Sequence, residues 1–293
     1  MLLLAAGLQG CRSANPTLAV GGVPWPYGPG ERPRFYMLYL PEAQLGVPLA
    51  LASPSTSGWT DERMERDVAR LRAAGLDGLI LGMQPALFSD TFQSERLLRF
   101  LDLIESQGPA ALSVVLMLVP PSPAAAAVDA EIVGRWLTAH NLRRRACLRQ
   151  LEGRIMLVCP PDLTLTGLPH PALYVVRAGS AGAVWTWGDP ADPACLNPTG
   201  PERQVLVHAG WRGRPASADA KDRPRWELER RGGRTLEAEL KHALSAKAGL
   251  ICISSWNNYV AGDFVEPNSL DNDAVLRKLT IMIRHAKEAG LQP

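Results

Sequence analysis

The side chains best placed to do chemistry in this 293-residue chain gather in one stretch, Gly249–Pro267. Leu250, Ile251, Cys252 and Ile253 form an apolar run with the profile of a strand buried on both faces. The run breaks into Ser254, Ser255, Trp256, Asn257, Asn258 and Tyr259, with Asp263 and Glu266 in the loop beyond. Polar and aromatic groups at the C-terminal end of a buried strand stand where an α/β barrel carries out its reaction. Two carboxyls brought together there act as general acid and base. Asp263 with Glu266, or Asp189 with Asp263, are the candidate pairs. A loop Asp also commonly hydrogen-bonds nearby backbone, and both roles stay open for each.

Other strand ends add groups suited to a sugar. His208 closes one strand, with Trp211 and Arg212 just beyond, and Trp187 closes another. Trp187, Trp211 and Trp256 offer flat faces to a sugar's C–H surface, while His208, Arg212, Asn257 and Asn258 offer hydrogen bonds. Tyr39 and Gln84 end the first and second strands and fit the same mouth by position.

Eight strands are expected to position these groups: 34–40, 78–83, 112–119, 154–159, 173–177, 183–187, 204–209 and 250–255. Amphipathic helices fall between most of them. The first spans about 61–74, with Thr60 as N-cap and Gly75 as stop. Others are expected at 94–107 with Ser94 as cap, at 129–145, at 235–246 with Thr235 as cap, and at 272–289. Only residues 178–182 separate the fifth strand from the sixth, too few for a helical crossover. Either that unit lacks its helix or one strand is misassigned. Alternation of this kind predicts an α/β fold, a (β/α)₈ TIM barrel irregular at strands five and six. A doubly wound open sheet is the alternative, but no Gly-rich phosphate turn follows an early strand.

A net charge of +2 favours no nucleic acid partner. No cysteine or histidine spacing fits a zinc site, and no other cofactor is signalled. Met1–Gly10 is apolar and ends in small residues immediately before Cys11, the pattern of an export signal with a lipidated cysteine. Residues 11–33 then read as a Gly/Pro-rich tether and 34–293 as the barrel, lipid-anchored in a bacterial envelope, periplasmic or at the surface. In an oxidising compartment Cys147 and Cys195 are a candidate disulfide, whereas Cys159 and Cys252 fall inside strands as buried thiols.

Ser255-Trp256-Asn257-Asn258-Tyr259-Val260-Ala261-Gly262-Asp263-Phe264-Val265-Glu266-Pro267 resembles a signature, S-[W/F]-N-E-W-x-E-G-T-x-[I/L]-E-P. It belongs to the last strand of glycoside hydrolase family 99 and the family 99-like (WbsX-type) barrels. Phe35–Pro41, Ala74–Leu79 and Arg231–Arg234 resemble weaker family segments in the same order. The resemblance implies a TIM barrel acting on carbohydrate, with the two Glu of N-E-W-x-E as the catalytic pair. Here Asn258 and Ala261 hold those positions. An amide exchanges no proton near neutral pH and Ala carries no functional group, so family-type catalysis is not expected. Two readings follow: a glycan-handling barrel that binds and, through substitute acids, hydrolyses; or a non-catalytic structural or protein-interaction lipoprotein on the same barrel.

Overall fold

The computed structural model describes residues 32–41, 59–108, 111–119, 127–160, 163–167, 170–179, 185–186, 193–200, 202–211, 228–258 and 263–289, with two short pairs at 19–20 and 23–24. Eight parallel strands form the frame: β1 Arg34–Tyr39, β2 Gly78–Met83, β3 Ser113–Leu118, β4 Arg154–Cys159, β5 Leu173–Gly179, β6 Trp185–Thr186, β7 Gln204–His208 and β8 Leu250–Ser254. Their spatial order is β6-β5-β4-β3-β2-β1-β8-β7, that of an eight-stranded barrel. β6 and β7 lie close at the two ends of this order. Among the described residues no ladder of hydrogen bonds joins them, so the barrel is open along that seam. β6 is only two residues long, which leaves little backbone to pair.

Both strands around the short fifth connection exist. Ala178 pairs with Trp185 and Gly179 with Thr186, in parallel, and the five residues between the strands are too few for a helical crossover. Among the described residues α-helices follow β1, β2, β3, β7 and β8: α1 Asp61–Ala73, α2 Thr91–Glu105, α3 Ala130–Ala139, α4 Arg234–Ser245 and α5 Ala274–Ala289.

Three helix starts or ends differ from expectation, each for a local reason. α2 begins earlier, because the Asp90 carboxylate accepts the Gln93 N–H at 3.0 Å and caps the helix there; Ser94 instead accepts the Trp136 indole N–H. α3 stops at Ala139, because Asn141 adopts a left-handed conformation (φ 53°) that breaks the helix before a short 3₁₀ turn. α4 is preceded by Gly233 at φ 80°, and the Thr235 hydroxyl donates to the Glu229 carbonyl rather than capping. Gly75, at φ 84°, ends α1 as expected.

Strand alternation divides the core in two. Tyr36, Leu38, Ile80, Val115, Met156 and Leu206 fill the barrel, whereas Phe35, Met37, Tyr39, Leu81, Val207 and Ile253 face the helices. A Cβ on Gly78 would lie 2.6 Å from the Tyr36 ring, so the missing side chain lets that ring cross the barrel floor. Below it, Arg34 and Arg149 converge on the buried Glu202 carboxylate, and Arg149 also donates to the Tyr36 hydroxyl at 3.2 Å.

Cys147 and Cys195 form no disulfide. With Cys159 and Cys252 they are buried thiols. Burial and the Glu105 carboxylate push the Cys147 thiol up to about 12, and burial pushes Cys159 up to about 11, so neither is poised to ionise.

Candidate functional site at the C-terminal mouth

β8 ends at Ser254, and the chain folds back as a hairpin of β9 Asn257–Asn258 and β10 Asp263–Phe264, with Asn258 opposite Asp263. The Ser254–Ser255 peptide is cis. Ser255 clamps the hairpin: its hydroxyl donates to the Asp263 carbonyl at 2.5 Å and accepts the Asn258 N–H at 2.9 Å. Arg230 locks β10 from behind. Its guanidinium lies 3.8 Å from the Phe264 ring centroid, donates to the Phe264 carbonyl at 2.8 Å and pairs with Asp271.

Several residues expected at the mouth are spent on holding it. Tyr39 is fully buried on the helix side of β1. Its ring stacks on Phe100 at 4.9 Å, and its hydroxyl donates to Asp67 and accepts from the Trp59 indole, both at 2.9 Å. Burial and the Asp67 carboxylate raise its pKa well above the usual phenol value. Trp256 is likewise 0% exposed, in the layer between sheet and helices, so it presents no face to a sugar. Its N–H donates to the Leu38 carbonyl at 2.7 Å and its carbonyl accepts from Val265 and Glu266. Asn257 imitates a strand partner for β1, accepting the Leu40 N–H at 3.0 Å and donating to the Leu40 carbonyl at 2.7 Å. Glu266 is fully buried and turned toward α1, 3.0 Å from Arg63 and 3.8 Å from Arg66. Arg63 and Arg66 tie it into one network with Asp67.

Asp263 is different. It is fully buried above the end of β7, where its Oδ1 accepts the Ala209 N–H at 3.0 Å. Burial pushes its carboxyl up to about 7, opposed by neighbouring His208, the Ser254 hydroxyl, the Ala209 N–H and Arg230. His208 is also buried. Glu239 of α4 accepts its backbone N–H at 2.6 Å and stands 3.5 Å from its Nδ1. Asp263, His208 and Glu239 thus form a chain of titratable groups at the top of β7. A carboxyl that titrates near neutrality beside an imidazole can hold or pass a proton.

Asn258 is half-buried at the rim, and so is Gln84 at the end of β2. Trp211 is half-buried too. Its backbone pairs with Leu228 in both directions, at 2.7 and 2.9 Å. Asp189, Trp187, Arg212, Ala261 and Cys11 lie outside the described residues. Sequence reasoning missed Arg230 and Glu239. Glu239 carried a readable signal: an acid inside the apolar stripe Leu236, Leu240 and Ala243 needs a buried partner. Among the described residues no cluster of His, Cys, Asp or Glu could hold a metal ion.

No family model matches this chain, and no curated protein does. Solved structures do resemble it. A family GH99 endo-α-mannosidase from Bacteroides thetaiotaomicron aligns with a TM-score of 0.63 at 11% identity, over 89% of this chain and 99% of that one. The same enzyme with bis-tris-propane gives 0.60 at 11%, over 87% and 98%. A glycoside hydrolase-like protein gives 0.59 at 8%, over 88% and 95%. The fold is therefore that of the GH99-type glycoside hydrolase barrels.

Proposed function

We propose that this protein is a glycan-binding barrel of the bacterial cell envelope, anchored through a lipid on Cys11 and tethered by residues 11–33. In this reading the family's acid pair is absent, and glycan is held at the C-terminal mouth by Asn258 and neighbouring strand ends. The observation that carries it is the hairpin after β8. Its frame is kept by Ser255, Asn257 and Arg230, yet the side chain at its rim is an amide, Asn258. Glu266 is already committed to Arg63 and Arg66. The fold shared with endo-α-mannosidase barrels supports carbohydrate as the ligand class.

Glycan-array binding, paired with hydrolysis assays on the same sugars, tests the proposal. Binding without turnover is expected, and no retained glycan would overturn it in favour of a structural or protein-interaction role. One observation favours a second reading: the Asp263 carboxyl near pKa 7 beside His208 is what a general acid requires. Turnover abolished by Asp263→Asn, in a protein that still folds, would select it. Anchoring is checked separately. Cys11→Ser should move the protein from the membrane fraction to the soluble one.

A further inference from the structure

The turns that lead into the strands lie at the floor of the barrel, opposite the mouth, and they gather positive charge. Arg32 precedes β1, Arg143 and Arg144 stand in the 3₁₀ turn between α3 and β4, Arg203 precedes β7, and Lys247 joins α4 to β8. All five are exposed, and among the described residues none pairs with a carboxylate. Hydrogen bonds hold three of these turns edge to edge: the Arg34 N–H donates to the Gly249 carbonyl at 3.0 Å, and the Gly249 N–H to the Arg203 carbonyl at 3.2 Å. Arg143, whose guanidinium donates to the Gly153 carbonyl at 3.0 Å, stands beside β4, four strands round the barrel from β8. The cations are therefore spread round the face.

Carboxylates at this end are taken up by other bases. Asp77 pairs with Lys287, Glu152 with Arg154, Asp102 and Glu105 share Arg145, and Glu202 is buried between Arg34 and Arg149. Glu288, in the last turn of α5, is the exposed acid left over among the described residues. Helix C-termini attract bases in any protein, and Arg203 fits that pattern, because its guanidinium donates to the Ala246 and Lys247 carbonyls at the end of α4. Arg32, Arg144 and Lys247 do not fit it: among the described residues their side chains make no hydrogen bond.

The spread of the charge narrows the partner. A single small anion needs donors that converge on it, whereas cations dispersed over one face match an extended anionic surface. The chain also reaches the barrel at this face, through Arg32 and Pro33, from the segment that bears Cys11. We propose that the floor docks on anionic lipid headgroups, so that the mouth points away from the bilayer. The orientation rests on the anchor proposed at Cys11, and the charge argument does not. A basic face beside a lipidated segment adds electrostatic attachment to the hydrophobic one.

The test uses the full chain as Cys11→Ser, which carries no lipid, in co-sedimentation with vesicles of phosphatidylcholine alone and of phosphatidylcholine and phosphatidylglycerol mixed about 2:1. Binding is expected on the mixed vesicles only, and it should vanish in about 1 M salt, where charges are screened within ~3 Å. Arg32→Gln, Arg144→Gln and Lys247→Gln should each weaken it about five-fold, and together about a hundred-fold. Their denaturation midpoints should not move, because those side chains make no hydrogen bonds among the described residues. Arg277→Gln, which removes an exposed base from the start of α5 at the mouth end, should bind like the unaltered chain. On the mixed vesicles, amide hydrogen exchange should slow in residues 142–153 and 246–249 and stay unchanged at 257–258. Equal binding to both kinds of vesicle, no binding to either, a loss as large with Arg277→Gln, or slowed exchange at 257–258 instead would overturn the proposal. Retention on soluble dextran sulfate without retention on vesicles would overturn it in favour of an anionic glycan partner. If Cys11 proves unlipidated while the floor still binds, the anchor falls and this docking stands; the converse spares the anchor.

Discussion

At the N-terminal end of the barrel, Arg34 and Arg149 close on Glu202, and Arg149 reaches on to Tyr36. At the C-terminal end, Asp263 is buried beside His208, and a half-buried Asn258 stands at the rim. Both ends hold charge in an apolar frame. At the floor the Glu202 carboxyl is raised by burial, and the Arg149 and Arg34 guanidinium groups oppose that push without cancelling it. At the mouth, Asp263 meets an imidazole, a hydroxyl, a backbone N–H and the weaker influence of Arg230, and burial pushes its carboxyl up to about 7. The floor carboxyl is braced by two guanidinium groups, whereas the mouth carboxyl stands beside His208 below a half-buried Asn258.

The largest way to break this contrast is at the floor. Glu202→Gln leaves two guanidinium groups facing each other without a carboxylate, and removal of one partner from a buried ion cluster costs about 3–5 kcal/mol. Chemical denaturation should show that loss. A change under 1 kcal/mol would mean that the floor is solvated and the two ends alike.

The second test uses pH. The folded-state pKa of Asp263, about 7, is raised above its unfolded value of 3.8, so the folded protein holds a proton that the unfolded chain has released. Stability from this group is therefore fully present below about pH 4 and falls as pH rises to 7, by up to about 4 kcal/mol. Asp263→Asn retains a neutral acceptor for the Ala209 N–H and should remove that fall. The comparison is between the pH slopes of unfolding free energy in the two proteins. Equal slopes would show that Asp263 is ionised throughout.

The barrel was legible because its strands are apolar runs stopped by Pro, Gly or polar clusters. β2 and β4 fall on their expected residues. What was hidden is direction. Successive strand residues face opposite ways, so Tyr39 at the end of β1 and Trp256 beyond β8 join the helix layer although they stand at the right height for the mouth. Glu266 was ambiguous for another reason: its partners, Arg63 and Arg66, lie about 200 residues away on α1, a pairing that no local pattern announces. Asn257 shows the same limit, because a side chain that completes a strand edge looks, in sequence, like one free to bind sugar.

Asn257 and Asn258 then give the finest version of the comparison, being neighbours of one type with different duties. Asn257→Ala strips both hydrogen bonds from Leu40 at the edge of β1, and should cost about 1–3 kcal/mol. Asn258→Ala removes a half-buried amide whose backbone N–H bond to Ser255 is untouched, and should cost less stability than Asn257→Ala. If the mouth holds glycan, the order reverses in binding assays: Asn258→Ala weakens retention of the glycan, about ten-fold for one lost hydrogen bond. Asn257→Ala, once folded at low temperature, weakens it less. Equal effects of the two on both stability and binding would make the rim one structural unit and take Asn258 out of the recognition surface.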